Sequence, residues 1–339
     1  MRILWCQTAP YLPEDHGGGL SNTHAACLAL KARGCEVAVL AQKGRQQYSI
    51  RSLWPAIPDL GYSVTRSPDP LRDIDALCGR FKPDVAIVQF GDVAGLVTAL
   101  NRIGVPSLVY FHDIFTISAA DRAATAYAAC SSVVAETAVS VLGRPTSVVP
   151  VLIDAADYKV RRTGKAVTLV NPIPRKGVEI AFSLASRRPD IRFEFVEAWR
   201  LRGRALSYLQ ARIAHHGNIS FLPRTIDMKS VYQRSRLIFA PSLCIEGWGR
   251  VVSEGHVSGI PALASDSGGL PQSVGPGGTI VARDAPIAAW SAALDKIWDD
   301  NTFYESKSAA ALAYAERLEF QPHVIIERLL AIVEGLKHQ

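Results

Sequence analysis

No stretch of this 339-residue chain approaches the roughly 20 consecutive apolar residues that a membrane span requires. Its start, Met1-Arg2-Ile3-Leu4-Trp5, runs straight into a strand-like segment without the cleavage pattern of a signal peptide, so a cytoplasmic protein is expected. Cysteine is sparse and scattered. Cys6, Cys27, Cys35, Cys78, Cys130 and Cys244 include no C-x-x-C pair, which argues against a zinc framework or a disulfide scaffold and leaves small reduced core residues. The G-x-G-x-x-G fingerprint of dinucleotide folds is missing too, which disfavours an NAD-dependent oxidoreductase. There is no internal repeat of solenoid length and no low-complexity tract. Excess charge is slight. A net +6 and a pI near 9.0 suit an anionic ligand and permit peripheral contact at the inner membrane face, but with no nucleic-acid-binding motif they do not indicate RNA or DNA. Metal is not expected either: His215-His216 has no further ligand at a matching spacing, and Asp299-Asp300 lies far from the glycine loops in the sequence.

What is present is the composition of a globular chain, 48% hydrophobic and 20% charged, at a length one core seldom organises, so two domains of about 150 residues are the default. Apolar runs alternate with amphipathic stretches. Ile3–Cys6, Glu36–Leu40, Asp84–Phe90 and Ser107–Phe111 read as strands, with helices over Leu20–Arg33, Leu71–Phe81 and Val93–Arg102 between them. Ser132–Glu136 and Ser147–Val151 read as two more strands, and Pro150–Asp157 as a crossing into a second domain. There the pattern restarts with strands over Ala166–Val170, Ile191–Val196 and Ile219–Leu222 and helices over Val178–Ser186 and Met228–Gln233. Helices close the chain over Ala309–Leu318 and Pro322–Leu336. This alternation predicts parallel sheets covered on both faces. The segment Gln42–Pro70, broken by Pro55, Pro58, Pro68 and Pro70, yields no assignment.

Ligands of open parallel sheets bind past the carboxyl ends of the strands, so the loops there carry the candidates. After the first strand, Gly17-Gly18-Gly19 opens a helix and permits close approach of backbone to ligand. His112-Asp113 follows the strand ending at Phe111, and Asp113 is placed to orient the imidazole. Asn171-Pro172-Ile173-Pro174-Arg175-Lys176-Gly177 sets two cations between a strand and a helix, a plausible phosphate cradle. Trp199 with Arg200, Arg202 and Arg204 lies on a further loop, readable as a solvated charge run or as a seat for a nucleotide base.

The densest stretch runs from Leu237 to Gly278. A short apolar strand stops at Pro241, a turn Glu246-Gly247-Trp248-Gly249 leads into a helix Arg250–Val257, and a strand Pro261–Ser265 ends in Ser267-Gly268-Gly269. On one helix Glu246 and Glu254 would diverge by roughly 80°. With Glu246 on the loop and Glu254 within the helix, both carboxylates can reach one space, beside the free N–H groups of the helix start.

Glu246, seven residues, Glu254, and then GIPALASDSGGLPQSV closely resemble the E-x7-E signature and tail of retaining glycosyltransferases of the family 4 type. The resemblance implies an α/β GT-B fold, two Rossmann-like parallel-sheet domains facing an interdomain cleft. Residues 1–152 would form the acceptor-side domain, with a C-terminal helix at about 320–339 packing back onto it, and residues 153–319 the nucleotide-sugar-binding domain. It further implies a retaining, metal-independent transfer from a UDP- or GDP-sugar to a glycan, lipid or small-molecule acceptor. His112 would face the transferred sugar. Gly18 and Gly19 would lie against the donor, Glu246 with Gly247, Trp248 and Gly249 would hold the sugar, and Glu254 would bond the ribose hydroxyls. Ser267, Gly268 and Gly269 would complete the wall. Lys176, with Arg175 and the helix start after Gly249, would stabilise the departing diphosphate. The family usually carries an arginine where this chain has Asn171, and Arg175 or Arg250 are the candidates to replace its charge. A nucleotide-sugar 2-epimerase of the same fold, or a non-catalytic nucleotide-sugar-binding protein, remain alternatives.

Overall fold

The computed structural model describes residues 1–44, 59–117 and 122–337. Pro55 and Pro58 lie outside them. The chain divides into two compact units, Met1–Leu152 with Pro322–Gln339, and Ile153–Gln321.

In the first unit the described strands are β1 (Arg2–Cys6), β2 (Glu36–Gln42), β3 (Ser63–Ser67), β4 (Val85–Val88), β5 (Ser107–Phe111), β6 (Ala126–Ala129) and β7 (Ser147–Val148). They form one sheet in the order β3-β2-β1-β4-β5-β6-β7 and pair in parallel throughout. Sequence order reverses at β1, so β2 and β4 leave on opposite sides and a crevice opens past the ends of β1 and β4. Ile3, Leu4, Trp5 and Cys6 are all fully buried, as a central strand covered on both faces requires. The helix Pro70–Phe81 begins where Asp69 accepts a hydrogen bond from Arg72 N, with proline at its first position. Pro322–Leu336 packs on the helix Gly18–Ala32, with Arg33 and Glu327 paired at 3.2 Å.

One expected strand is a helix. Ser132–Glu136 reads as a strand, but the segment forms the helix Ser132–Leu142. The Ser131 side chain caps Val134 N, Gly143 ends the helix at φ 66°, and the buried set Val134, Ala135, Ala138 and Leu142 has helical spacing. β3 and β6 were not legible, since SVTRS is a polar edge strand and AYAA lacks the branched residues that mark strands.

The second unit carries β8 (Ala166–Val170), β9 (Arg192–Val196), β10 (Ile219–Leu222), β11 (Ser235–Ala240), β12 (Ala262–Ser265) and β13 (Gly278–Val281), ordered β10-β9-β8-β11-β12-β13. Again every pair is parallel and the order reverses, here at β8. Alternate residues of β11 face opposite cores. Leu237 and Phe239 join Phe182, Phe193, Phe195 and Trp290 on one face, while Ile238 and Ala240 join Val252, Ile260 and Leu270 on the other. Helices Arg204–Ile213 and Ile287–Asp299 complete the covering layers. Among the described residues no helix is long and apolar enough to cross a membrane.

Candidate functional site

The reversal of strand order in the second unit brings together the loops that follow β8 and β11, with the loop after β12 beside them. Backbone bonds zip the three into one crown. The carbonyl of Arg175 accepts from Leu243 N at 2.9 Å and Cys244 N at 3.1 Å, and that of Glu246 accepts from Gly269 N at 2.8 Å. The Ser267 hydroxyl donates to the carbonyl of Cys244 at 2.7 Å, and that of Ser265 to the carbonyl of Ser242 at 2.7 Å. Gly268 makes this contact possible. Its φ is +58°, and a Cβ there would stand 2.2 Å from the Glu246 carbonyl oxygen.

Lys176 and Glu246 meet at this crown. The ammonium pairs with Glu246 Oε1, which also accepts from the Ser242 hydroxyl, and both charged side chains are 15% exposed. Arg175 does not join the pair but lies over the Trp199 ring. The structure therefore brings Arg175, Lys176, Glu246, Gly247, Gly249, Ser267, Gly268 and Gly269 together, Gly249 at φ 95° as the residue before the helix Arg250–His256.

Three residues expected at the donor are turned inward instead. Glu254 is only 5% exposed; Arg250 Nε pairs with its Oε1 at 2.6 Å, and the Tyr232 hydroxyl donates to its Oε2. Arg250 is held in addition by the hydroxyl of Tyr158 at 2.8 Å. Trp248 is 5% exposed, its indole N–H donates to Ser253 Oγ at 2.8 Å, and its ring packs edge-on to Phe320. The eight-residue offset is the cause: from the loop it carries the second carboxylate to the covered side of a seven-residue helix. In this arrangement ribose contact by Glu254, or diphosphate contact by Arg250, would require each to give up a buried partner. Burial pushes the Glu254 carboxyl above its ordinary range, opposed by the Arg250 charge and the hydrogen bond from Tyr232. Two residues on, His256 is 1% exposed, packed against Gly277 and edge-on to Tyr314, and burial lowers its imidazole to about 4.

Asn171 answers for the missing arginine in a different way. It sits in the left-handed region at φ 61°, and its side-chain oxygen accepts from Ala198 N at 3.1 Å and Trp199 N at 2.6 Å.

In the first unit the loops past β1, β4 and β5 form a second crown. The His112 Nε2–H donates to Gln89 Oε1 at 3.0 Å, and the Gln89 amide donates to Gln7 and to the Thr23 hydroxyl. The imidazole lies between Phe90 at 5.2 Å and Tyr110 at 4.3 Å. Asp113, expected to orient it, instead caps its own turn through Phe115 N and Thr116 N. Gly18 opens the adjoining helix, and at Gly19 a Cβ would lie 2.3 Å from Phe90 Cζ, so a larger residue there would have to displace that ring. Phe90 was missed in the sequence. It holds φ 45° beside Gly91 at φ 81°, and the signal was a Phe-Gly pair at the end of a strand flanking the switch point. His216 and the Asp299-Asp300 pair take structural roles: His216 bonds Ser186, Asp299 pairs with Arg188 and Asp300 caps Phe303 N. Among the described residues no cluster of metal-binding side chains is found.

Comparison with known proteins adds a family. Residues 165–318 match the family described as glycosyl transferases group 1. The chain is 28% identical over 171 residues to D-inositol 3-phosphate glycosyltransferase of Paenarthrobacter aurescens, covering 48% of this chain and 42% of that protein. It is 27% identical over 175 residues to a GDP-mannose-dependent monoacylated alpha-(1-6)-phosphatidylinositol monomannoside mannosyltransferase of Corynebacterium glutamicum, covering 48% and 45%. These matches span less than half the length of either relative. Among solved structures, Anabaena Alr3699/HepE in complex with UDP-glucose is similar at a TM-score of 0.79 and 16% identity, over 99% of this chain and 100% of that one. The fold is thus the GT-B fold, and the match to the group 1 glycosyl transferases is confined to residues 165–318, less than half of the chain.

Proposed function

We propose, from that match, that this protein is a retaining glycosyltransferase that moves a sugar from a UDP- or GDP-sugar to a glycan, lipid-linked or small-molecule acceptor. The observation that carries the reading is the Lys176–Glu246 pair at a crown of interlocked glycine loops, on the switch point of a parallel sheet. A diphosphate leaving group develops negative charge as its bond to the anomeric carbon lengthens, and a fixed cation lowers that barrier without a metal. In the resting state Glu246 neutralises Lys176. With the donor bound, the ammonium turns to the diphosphate, and the Glu246 carboxylate, still held by Ser242, accepts from hydroxyls of the sugar. UDP-glucose in the Anabaena complex and GDP-mannose in the Corynebacterium relative's name support a nucleoside-diphosphate donor. Work at the inner face of a membrane, in glycoconjugate or polysaccharide synthesis, fits the basic pI.

The experiment is a panel of UDP- and GDP-sugars with EDTA present, read by release of nucleoside diphosphate and by product structure. Transfer with retention at unchanged rate in EDTA is expected. Interconversion of the donor with no acceptor would identify an epimerase. Failure to turn over any nucleotide sugar would sink the proposal.

A further inference from the structure

The loop after β9 carries a tryptophan to which the proposed chemistry gives no task. Trp199 is half-buried, and its ring lies 4.7 Å from Arg175 Cζ and 5.1 Å from Lys176 Nζ. Two consecutive cations repel, and left to solvent their side chains would part. A π face attracts both, most strongly where water is partly excluded.

The ring can hold them because its own backbone is held. Asn171 accepts from the amides of Ala198 and Trp199, and its own N–H donates to the Val196 carbonyl at 2.8 Å. On either side of this turn, the Glu197 carboxylate accepts from Leu201 N at 2.5 Å and Arg224 N at 3.0 Å. An arginine at position 171 has no acceptor to offer those two amides. The residue that costs the loop a charge is therefore the one that anchors the indole, and the indole brings Arg175 back to Lys176. Glu246 neutralises one of the two charges, which leaves the group one positive charge in excess.

We infer that Trp199, anchored by Asn171, is a positioning residue that gathers Arg175 and Lys176 into a two-cation seat for the donor's diphosphate. Arg175 is the second cation of that seat. The inference rests on the proposed function, since it names the groups that grip the donor.

The test is calorimetric titration of the full chain with inorganic pyrophosphate, UDP and GDP. Trp199→Ala should weaken each about 10-fold, as expected for a partly desolvated cation–π contact, and Trp199→Phe should recover most of that loss. Arg175→Gln should weaken binding in the wild-type background and cost much less in Trp199→Ala, a coupling that a merely structural tryptophan would not produce. Equal affinities for wild type and Trp199→Ala, or an Arg175→Gln cost that is the same in both backgrounds, would overturn the inference. Should Trp199→Ala fail to fold, Arg175→Gln decides alone: unchanged pyrophosphate affinity removes Arg175 from the seat. Sugar transfer with no Trp199 effect would leave the proposed function standing and the inference refuted. Pyrophosphate binding that depends on Trp199 without any sugar transfer would do the reverse.

Discussion

Lys176–Glu246 and Arg250–Glu254 are both ion pairs of the second unit, and both draw on the stretch between β11 and β12, yet they are built differently. The first joins two loops at the carboxyl edge of the sheet and is 15% exposed on each side; the second lies along one helix at 9% and 7%, enclosed by Tyr158 and Tyr232. A pair at a loop crown can exchange its partner for a ligand, because water and neighbouring hydroxyls stabilise the charge in transit. A pair wrapped in tyrosines cannot do so without leaving a buried charge. Glu246 and Glu254 share one motif, so spacing alone does not tell the carboxylate at the loop crown from the one enclosed by tyrosines.

The largest effect expected from breaking this contrast is on the buried side. Glu254→Ala leaves Arg250 without its counter-charge, and loss of one partner of such a pair costs about 3–5 kcal/mol. Urea unfolding should show that loss, while the folded fraction keeps its affinity for UDP. A variant as stable as wild type but deaf to nucleotide would return Glu254 to the donor.

The exposed pair should behave oppositely. On the proposed function Lys176→Ala removes a charge-assisted contact to the leaving group, and turnover should fall by one to three orders of magnitude, about 2–4 kcal/mol. Its melting temperature should stay close to wild type, because the pair it breaks is partly solvated. Unchanged kinetics would remove Lys176 from the mechanism and leave the two pairs alike.

Much of this was legible in the chain, for a physical reason. Buried parallel strands are continuous apolar runs, and glycine turns at their ends are the backbone's own requirement, so β1, β8 and β11 and the loops after them could be placed from the residues. What could not be read was orientation. Whether Glu254 faces a ligand or a tyrosine depends on Tyr232 and Tyr158, which arrive from 22 and 92–96 residues away in sequence, and no local pattern encodes them. The platform under Arg175 was hidden in the same way, because Asn171 reaches Trp199 across 28 positions. The helix Ser132–Leu142 is a different kind of miss: its cap, Ser131, and its terminal Gly143 are local signals present in the sequence.

The smallest effect comes from a third group on the same helix and sharpens the contrast by pH. His256 lies two residues beyond Glu254, enclosed and uncharged, with its imidazole lowered to about 4. In the unfolded chain it titrates near 6.5. Above that pH it is neutral in both states and contributes nothing to pH dependence. As pH falls from 6.5 towards 4 the unfolded chain gains a proton that the folded one refuses, so folding stability declines by up to about 1.4 kcal/mol per pH unit. The total loss, about 3–4 kcal/mol, levels off below 4, where the folded state protonates as well. Carboxylates, Glu254 among them, titrate near this window, so wild type alone does not isolate the term. The difference in unfolding free energy between wild type and His256→Gln does, because every other group is common to both. That difference should be constant from pH 8 to 7 and then shift steadily against the wild type down to about pH 4. A flat difference across the whole range would mean that His256 titrates in the folded protein as freely as in the unfolded chain, and that this side of the helix is open to water.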